Sequence, residues 1–287
     1  MNVVKPEDVK LKKNQIIIYI AIIMFCIISI IIASYVQFYA RIDIAQLLGI
    51  KHEESAFGNK TQDEVDLLKA EFDKLFNNTI QNDNGNDSKK VYKDQNLVCP
   101  KYVEQRTKGN SYDININIPY INIDNEIINK YNQEIEDVFV TKAKNILETD
   151  NKNIIYTVEY IADVQDDILS LMIKSNLKEG SNAQRLIIQT YNYDLRNNKE
   201  ISLEEILKIK QIDKQELQDK IKSEIELEEK KVNDLKQLGY NIYDRDISND
   251  IYKVENTTEF YLTDDTLYLI YAYGNDTHTS EMDLVIL

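Results

Sequence analysis

The sequence predicts an α+β fold: an antiparallel sheet with helices packed on one face, preceded by an N-terminal transmembrane helix. Three observations carry that expectation. The stretch from Asn14 to Ala40 holds no charged residue. From Ser111 onward, short runs place apolar residues at every second position, the period of a half-buried strand. Between those runs, apolar residues recur three and four apart behind Ser or Asp capping residues, the period and punctuation of helices.

Composition narrows the classes further. The chain has 287 residues, a formal net charge of −15 and 43% hydrophobic residues, enough for a packed core and against global disorder. With 7 Gly and 3 Pro it is neither collagen-like nor of low complexity. The acidic balance excludes a surface built to neutralise nucleic-acid phosphates. With 2 Cys and 2 His there is no disulfide scaffold and no Cys/His zinc site, and no cofactor is expected. The heavy use of Ile, Asn and Lys is that of an AT-rich bacterial genome.

Residues 1–14 read as a short cytoplasmic tail and residues 15–36 as the transmembrane helix. Ile16 to Val36 is interrupted only by Tyr19, Cys26, Ser29, Ser34 and Tyr35. About 20 apolar residues at about 1.5 Å each cross the hydrocarbon layer. The run is longer than the apolar core of a cleaved signal peptide, and it ends in an aromatic flank, Tyr35 to Tyr39, that suits the interface. Lys5, Lys10, Lys12 and Lys13 precede it, so the N-terminus is expected to be cytoplasmic and everything after Ala40 extracytoplasmic. Without the tail's lysines that outer part is more acidic still. Cys26 and Cys99 fall in different compartments and cannot pair, so Cys99 reads as a partly buried free thiol.

Residues 37–98 read as a juxtamembrane helix and polar linker. Val65, Leu68, Phe72, Leu75 and Phe76 form a narrow stripe at helical spacing. The stripe either docks on the domain behind it or dimerises as a stalk; too few heptads for a coiled coil favour docking over a homodimer. Asn82 to Ser88 has no apolar residue to bury and reads as linker.

Residues 99–287 read as the extracytoplasmic α+β domain. Ile114, Ile116 and Ile118 alternate with asparagines, a strand closed by Pro119. A helix follows, capped at Asp124, with Ile128, Tyr131, Ile135, Val138 and Phe139 on one face. Three strands come next, over Tyr156–Tyr160, Ile168–Ile173 and Leu186–Leu195, joined closely enough for antiparallel hairpins. Ser202 with Glu205 and Asp213 with Glu216 are capping boxes for a short and a long helix, the latter ending at Gly239. Strands over Thr258–Leu262, Thr266–Tyr273 and Met282–Leu287 close the chain.

Two stretches resemble a known exported domain. They are Thr190 to Leu195 followed by Asn198 to Leu207, and Phe260 to Tyr271. Together they resemble the ectodomain of the lysozyme-sensing anti-sigma-V factor, which also accompanies some peptidoglycan deacetylases. The resemblance spans about residues 112–287 and implies an α+β ectodomain that binds at the cell surface, with lysozyme, a cationic protein, as the implied partner. Neither the anti-sigma segment nor a deacetylase domain is expected here, so only the binding module carries over.

Two segments are chemical candidates. Asp244, Asp246, Ser248, Asp250 and Glu255 occupy positions 1, 3, 5, 7 and 12 of a calcium-loop pattern, but Asn249 replaces the turn glycine and a strand follows, so an acidic solvated turn is expected and no metal site. The hairpin from Tyr271 to Asp283 combines aromatic area with polar and acidic groups. Its candidate ligand-binding residues are Tyr271, Tyr273, Asn275, Thr279, Glu281 and Asp283. Ser280, His278 and Glu281 are too close in sequence to converge as a triad, and no catalytic residue is expected. The expectation is a single-pass, membrane-anchored binding or sensory module, not an enzyme, that recognises a cell-envelope component or a cationic protein. The alternatives are a wall-modifying hydrolase using carboxylates and a structural subunit of an envelope complex.

Overall fold

Strand direction in this protein follows from the length of each connection. The computed structural model describes Met24, Phe57 and residues 60–77, 97–148 and 153–287. The tail 1–14, the linker 78–96 and the predicted span 15–36, apart from the helical and exposed Met24, lie outside the described residues. Among the described residues no helix is long and apolar enough to cross a membrane.

The first described helices are α1 (Gln62–Glu71) and α2 (Lys74–Asn77). Thr61 and Glu64 form a full capping box at the start of α1. Two long strands follow, β1 (Val98–Lys108) and β2 (Tyr112–Ile121), paired antiparallel across a short turn. Helix α3 (Glu126–Ile135), a π-helical turn (Glu136–Val140) and α4 (Thr141–Glu148) then lead to β3 (Ile154–Gln165). Because that helical connection carries the chain back along the sheet, β3 lies parallel to β2. β4 (Ile168–Glu179) and β5 (Arg185–Asp194) add antiparallel, and the two-residue β6 (Lys199–Glu200) ends a six-stranded sheet in the order β1 to β6. The β3–β4 turn is two residues, Asp166 and Asp167, with φ of 50° and 63°, the left-handed pair a tight hairpin needs.

Helix α5 (Leu203–Lys210) opens on the Ser202–Glu205 capping box, and α6 (Lys214–Gln237) opens with Asp213 accepting from the Glu216 amide. Helix α6 ends in a Schellman turn: Gly239 has a φ of 90°, its amide donates to Lys236 and the Tyr240 amide donates to Leu235. Strands β7 (Phe260–Leu262), β8 (Leu267–Ala272) and β9 (Met282–Ile286) form a second, wholly antiparallel sheet.

The expected single antiparallel sheet with helices on one face is therefore corrected to two sheets, one with a parallel junction, stacked with helices outside both. The reason lies in strands that are apolar on both faces. In β8, Leu267, Leu269 and Tyr271 pack with Ile206, Leu207, Leu217, Ile221 and Ile225 of α5 and α6. The alternate residues Tyr268 and Ile270 pack with Met172, Leu186 and Ile188 of the large sheet. On the far side of that sheet, Ile114, Ile116, Tyr156, Leu171 and Ile173 meet Ile128, Tyr131, Ile135 and Phe139. A strand apolar on both faces needs a layer on each.

Smaller differences have local causes. Asn125, not Asp124, caps α3 through its side chain to the Ile127 amide. The wider π turn delays the helical stripe, so Val138 is exposed and Val140 buried. Strand β1 escaped the sequence reading because it is an edge strand with most of its residues exposed and no clean alternation. Val65, Phe72 and Phe76 are buried against Tyr268, Ile270 and Leu284, so this stripe is used in packing within the chain. Lys60 reinforces the docking by donating to the backbone oxygens of Phe57, Asp265 and Leu287. Cys99 is a half-buried free thiol facing the Tyr120 carbonyl.

Candidate functional site

The candidate residues gather where β5 meets the small sheet. One edge of β5 pairs with β4, and its other edge meets β6 only at Tyr193 and Asp194. The rest of that edge is filled by groups from the C-terminal part of the chain. The Leu186 amide donates to the Thr279 carbonyl at 3.0 Å. The Asn275 side chain accepts from the Ile188 amide at 2.9 Å and donates to the Ile188 carbonyl at 2.7 Å, as a neighbouring strand would. The Glu259 carboxylate accepts from the Thr190 amide at 2.6 Å and from its hydroxyl at 3.0 Å. Arg185 fastens the turn Tyr273–Asn275 by donating to the carbonyls of Gly274 and Asn275. Gly274 has to be glycine, since a Cβ there would stand 1.7 Å from the Leu186 oxygen. Asn275 and Thr279 are thus placed as closures of the β5 edge.

Tyr273, Glu281 and Asp283 converge with residues from the preceding loop. Arg245, 6% exposed, donates to both oxygens of Asp283 at 3.0 and 3.2 Å and to Glu281. The Tyr273 hydroxyl donates to Asp283 at 2.5 Å and meets the Tyr252 hydroxyl at 2.7 Å. Its ring stacks on Tyr243 with centroids 4.3 Å apart and lies 4.6 Å from the Arg245 guanidinium. Burial and then the Asp283 charge push the Tyr273 phenol far above the usual tyrosine range. Burial pulls Arg245 down, but Asp283 and Glu281 more than reverse it, so its guanidinium is held charged. Tyr271 is 6% exposed, with its hydroxyl on Thr257. The hairpin was expected to offer Tyr271 and Tyr273 as contact area; their rings are instead built into the core. Its exposed residues are Asp276, Thr277, His278 and Ser280.

The calcium-pattern residues do not converge. Asp244 pairs with Lys236, Asp250 with Lys253 and Glu255 with Lys214, while Asp246 accepts from the Ser248 amide and hydroxyl. Among the described residues no group of three or more His, Cys, Asp or Glu side chains is arranged to hold a metal.

Beside the closed edge opens a groove of about 720 Å³. Its walls are the face of β5 that carries Ile187 and Gln189, the end of β4 at Glu179, the segment 243–259 and the turn 273–278. Lys142 and Glu179 pair across it at 2.7 Å. Glu259 lies in its wall, and burial lifts its carboxyl to about 7 against the opposing hydrogen bonds of Thr190 and Thr258. Burial outweighs those bonds because, among the described residues, no cation pairs with Glu259, whereas Arg245 pairs with Asp283.

Sequence reasoning missed Glu259, Arg185 and Arg245. Arginine scarcity was the available signal: in a chain that takes most of its positive charge from lysine, an arginine marks a place needing a planar, multiply donating cation. Glu259 offered a fainter one, as a carboxylate set directly before the buried run Phe260 to Leu262.

No protein-family profile matches the chain, and no curated protein matches it. Among solved structures it is similar to a DUF3298 family member from Bacteroides fragilis, with 16% identity over 61% of this chain and 80% of that one and a TM-score of 0.34. It is also similar to a DUF3298 family protein from Pseudomonas aeruginosa, with 14% identity over 66% of this chain and 87% of that one and a TM-score of 0.36.

Proposed function

We propose that the chain is a single-pass, membrane-anchored extracytoplasmic module that binds or senses a cell-envelope component or a cationic protein. The observation that carries this reading is the groove: a concave site of ligand size beside a strand edge whose amides at Leu186, Ile188 and Thr190 are all bonded. The uncharged stretch 14–40 behind a lysine-rich tail supports the anchor, and the net charge of −15 suits a basic partner. The resemblance to the lysozyme-sensing ectodomain points the same way.

The test has two arms on the full chain in its membrane. A cysteine placed at exposed Ser280 is expected to react with a thiol reagent that cannot cross membranes; labelling only after lysis overturns the topology. Lysozyme is expected to associate at low salt and to associate more slowly as salt rises, because exposed charges are screened over about 8 Å at physiological strength. A carboxyl raised to about 7 also favours a second reading, a hydrolase with Glu259 as general acid. Turnover of wall polymer that Glu259→Gln abolishes would select that reading over binding alone.

A further inference from the structure

The groove's charged side chains are each engaged by the protein itself. Lys142 is paired with Glu179. The Arg185 guanidinium is turned into the Tyr273–Asn275 turn, onto two backbone carbonyls. Glu259 spends one oxygen on Thr190. The other polar groups along the walls are neutral: the side-chain amides of Asn182, Gln189, Asn249 and Asn256 and the hydroxyls of Thr257 and Thr258. Gln189 accepts from the Tyr191 hydroxyl, Asn249 accepts from the Ile251 amide and Asn256 donates to the Asp250 carbonyl, so in these bonds each uses one side of an amide that can both donate and accept. Tyr243, half-buried beside them, adds aromatic surface. Asp276 and His278 are exposed on the turn at the groove's edge.

We propose that this groove is the binding site of an uncharged saccharide a few rings long. The proposal rests on the binding-module reading and names its ligand class. An anion or cation gains little from walls where Lys142 and Glu179 neutralise each other, Arg185 is turned onto backbone carbonyls and burial keeps Glu259 protonated up to about 7, whereas hydroxyl-rich rings match amides and hydroxyls that donate and accept alike. The volume lies within the range of about 300–1,000 Å³ usual for small-molecule sites. A peptide added as an extra strand has no edge to join here, since the amides of Leu186, Ile188 and Thr190 are all taken.

The experiment uses the full chain in a detergent without sugar headgroups. Calorimetric titration with maltotetraose and with a tetramer of N-acetylglucosamine separates a hydroxyl-only from an amide-bearing ligand. At least one is expected to bind. Ala183→Trp, at an exposed position on the groove wall, is expected to weaken binding by about tenfold or more, with the melting temperature unchanged. Gln189→Leu keeps the shape of the wall, removes one amide and is expected to weaken binding by a smaller factor. The proposal is overturned if neither tetramer binds at millimolar concentration, or if Ala183→Trp leaves saccharide binding intact. Binding of an uncharged tetrapeptide, blocked by Ala183→Trp, in place of both sugars also overturns the saccharide assignment while leaving the binding module standing. Failure of the module itself is read separately, in labelling of Ser280→Cys only after lysis and in the absence of lysozyme association at low salt.

Discussion

Two carboxylates are packed where the small sheet meets the rest of the domain, and they sit in opposite company. Asp283 receives a guanidinium, Arg245, and the phenol of Tyr273. Glu259, at the groove, receives an amide and hydroxyls but, among the described residues, no cation, and its carboxyl rises to about 7. The first arrangement fixes a charge in place. The second keeps a proton available near neutrality in a cavity wide enough for a ligand. The same residue class thus serves rigidity in one place and readiness in the other, and the presence of one arginine separates the two.

The sharpest way to break the rigid side is Gly274→Ala. Its Cβ would enter the Leu186 carbonyl, so the turn must leave β5 and take Asn275 with it. We expect the variant to fail to fold or to melt more than about 10 °C lower, read by circular dichroism; an unchanged melting curve sinks the weld. Arg245→Met comes next. Removing one partner of a buried pair leaves Asp283 uncompensated at about 3–5 kcal/mol, or about 10 °C in a domain of this size. Partial recovery by Asp283→Asn in the same chain would show that the stranded charge causes the loss.

The groove side is sharpened by pH. Glu259 has a folded value of about 7 against an ordinary 4.5. Below 4.5 it is protonated in both states and costs nothing. From 4.5 to 7 the unfolded chain gives up this proton first, so folding loses about 3 kcal/mol across that window and does not regain it above 7. Glu259→Gln is expected to remove that fall, measured as the difference between the two proteins' urea midpoints at pH 4.5 and 8. Parallel pH dependences would show that the carboxyl is not raised. The smallest expected effect is Asn275→Ala, which strips two hydrogen bonds from Ile188 and costs about 1–3 kcal/mol. Faster amide exchange at Ile188 than at Leu186 checks it, because Leu186 keeps its backbone partner.

Much of the local structure was legible. Ser202 with Glu205, Asp213 and Gly239 mark helix ends through chemistry that acts over a few residues, and they act as expected. Strand β2 was legible from its alternation of isoleucines and asparagines, and β3, β4, β5, β7, β8 and β9 from their apolar runs. What was not legible depends on partners far away in sequence. Leu267 to Tyr271 reads as one apolar run, and nothing local says that its two faces belong to different layers. The same limit applies to the site. Tyr273 and Asp283 were singled out as polar and aromatic, but whether they face solvent or Arg245 is decided by a loop nearly 40 residues upstream of Asp283. Glu259 gave only the faint signal of a carboxylate before a buried run, because its partner Thr190 is 69 positions away.

The closure of β5 also sets an order of events. A chain made from its N-terminus completes β5 long before Glu259 and Asn275, which lie 69 and 87 positions beyond their partners. Until they arrive, the strand offers open amides and carbonyls beside Ile187 and Ile188, an edge ready to recruit any other extended chain. Loop closures of that length also slow folding, since their entropy is spent before the contact forms. The nascent protein is therefore most in need of a chaperone in the interval between β5 and the small sheet. A chain cut anywhere between Asp194 and Asn275 should aggregate rather than fold to a smaller native form.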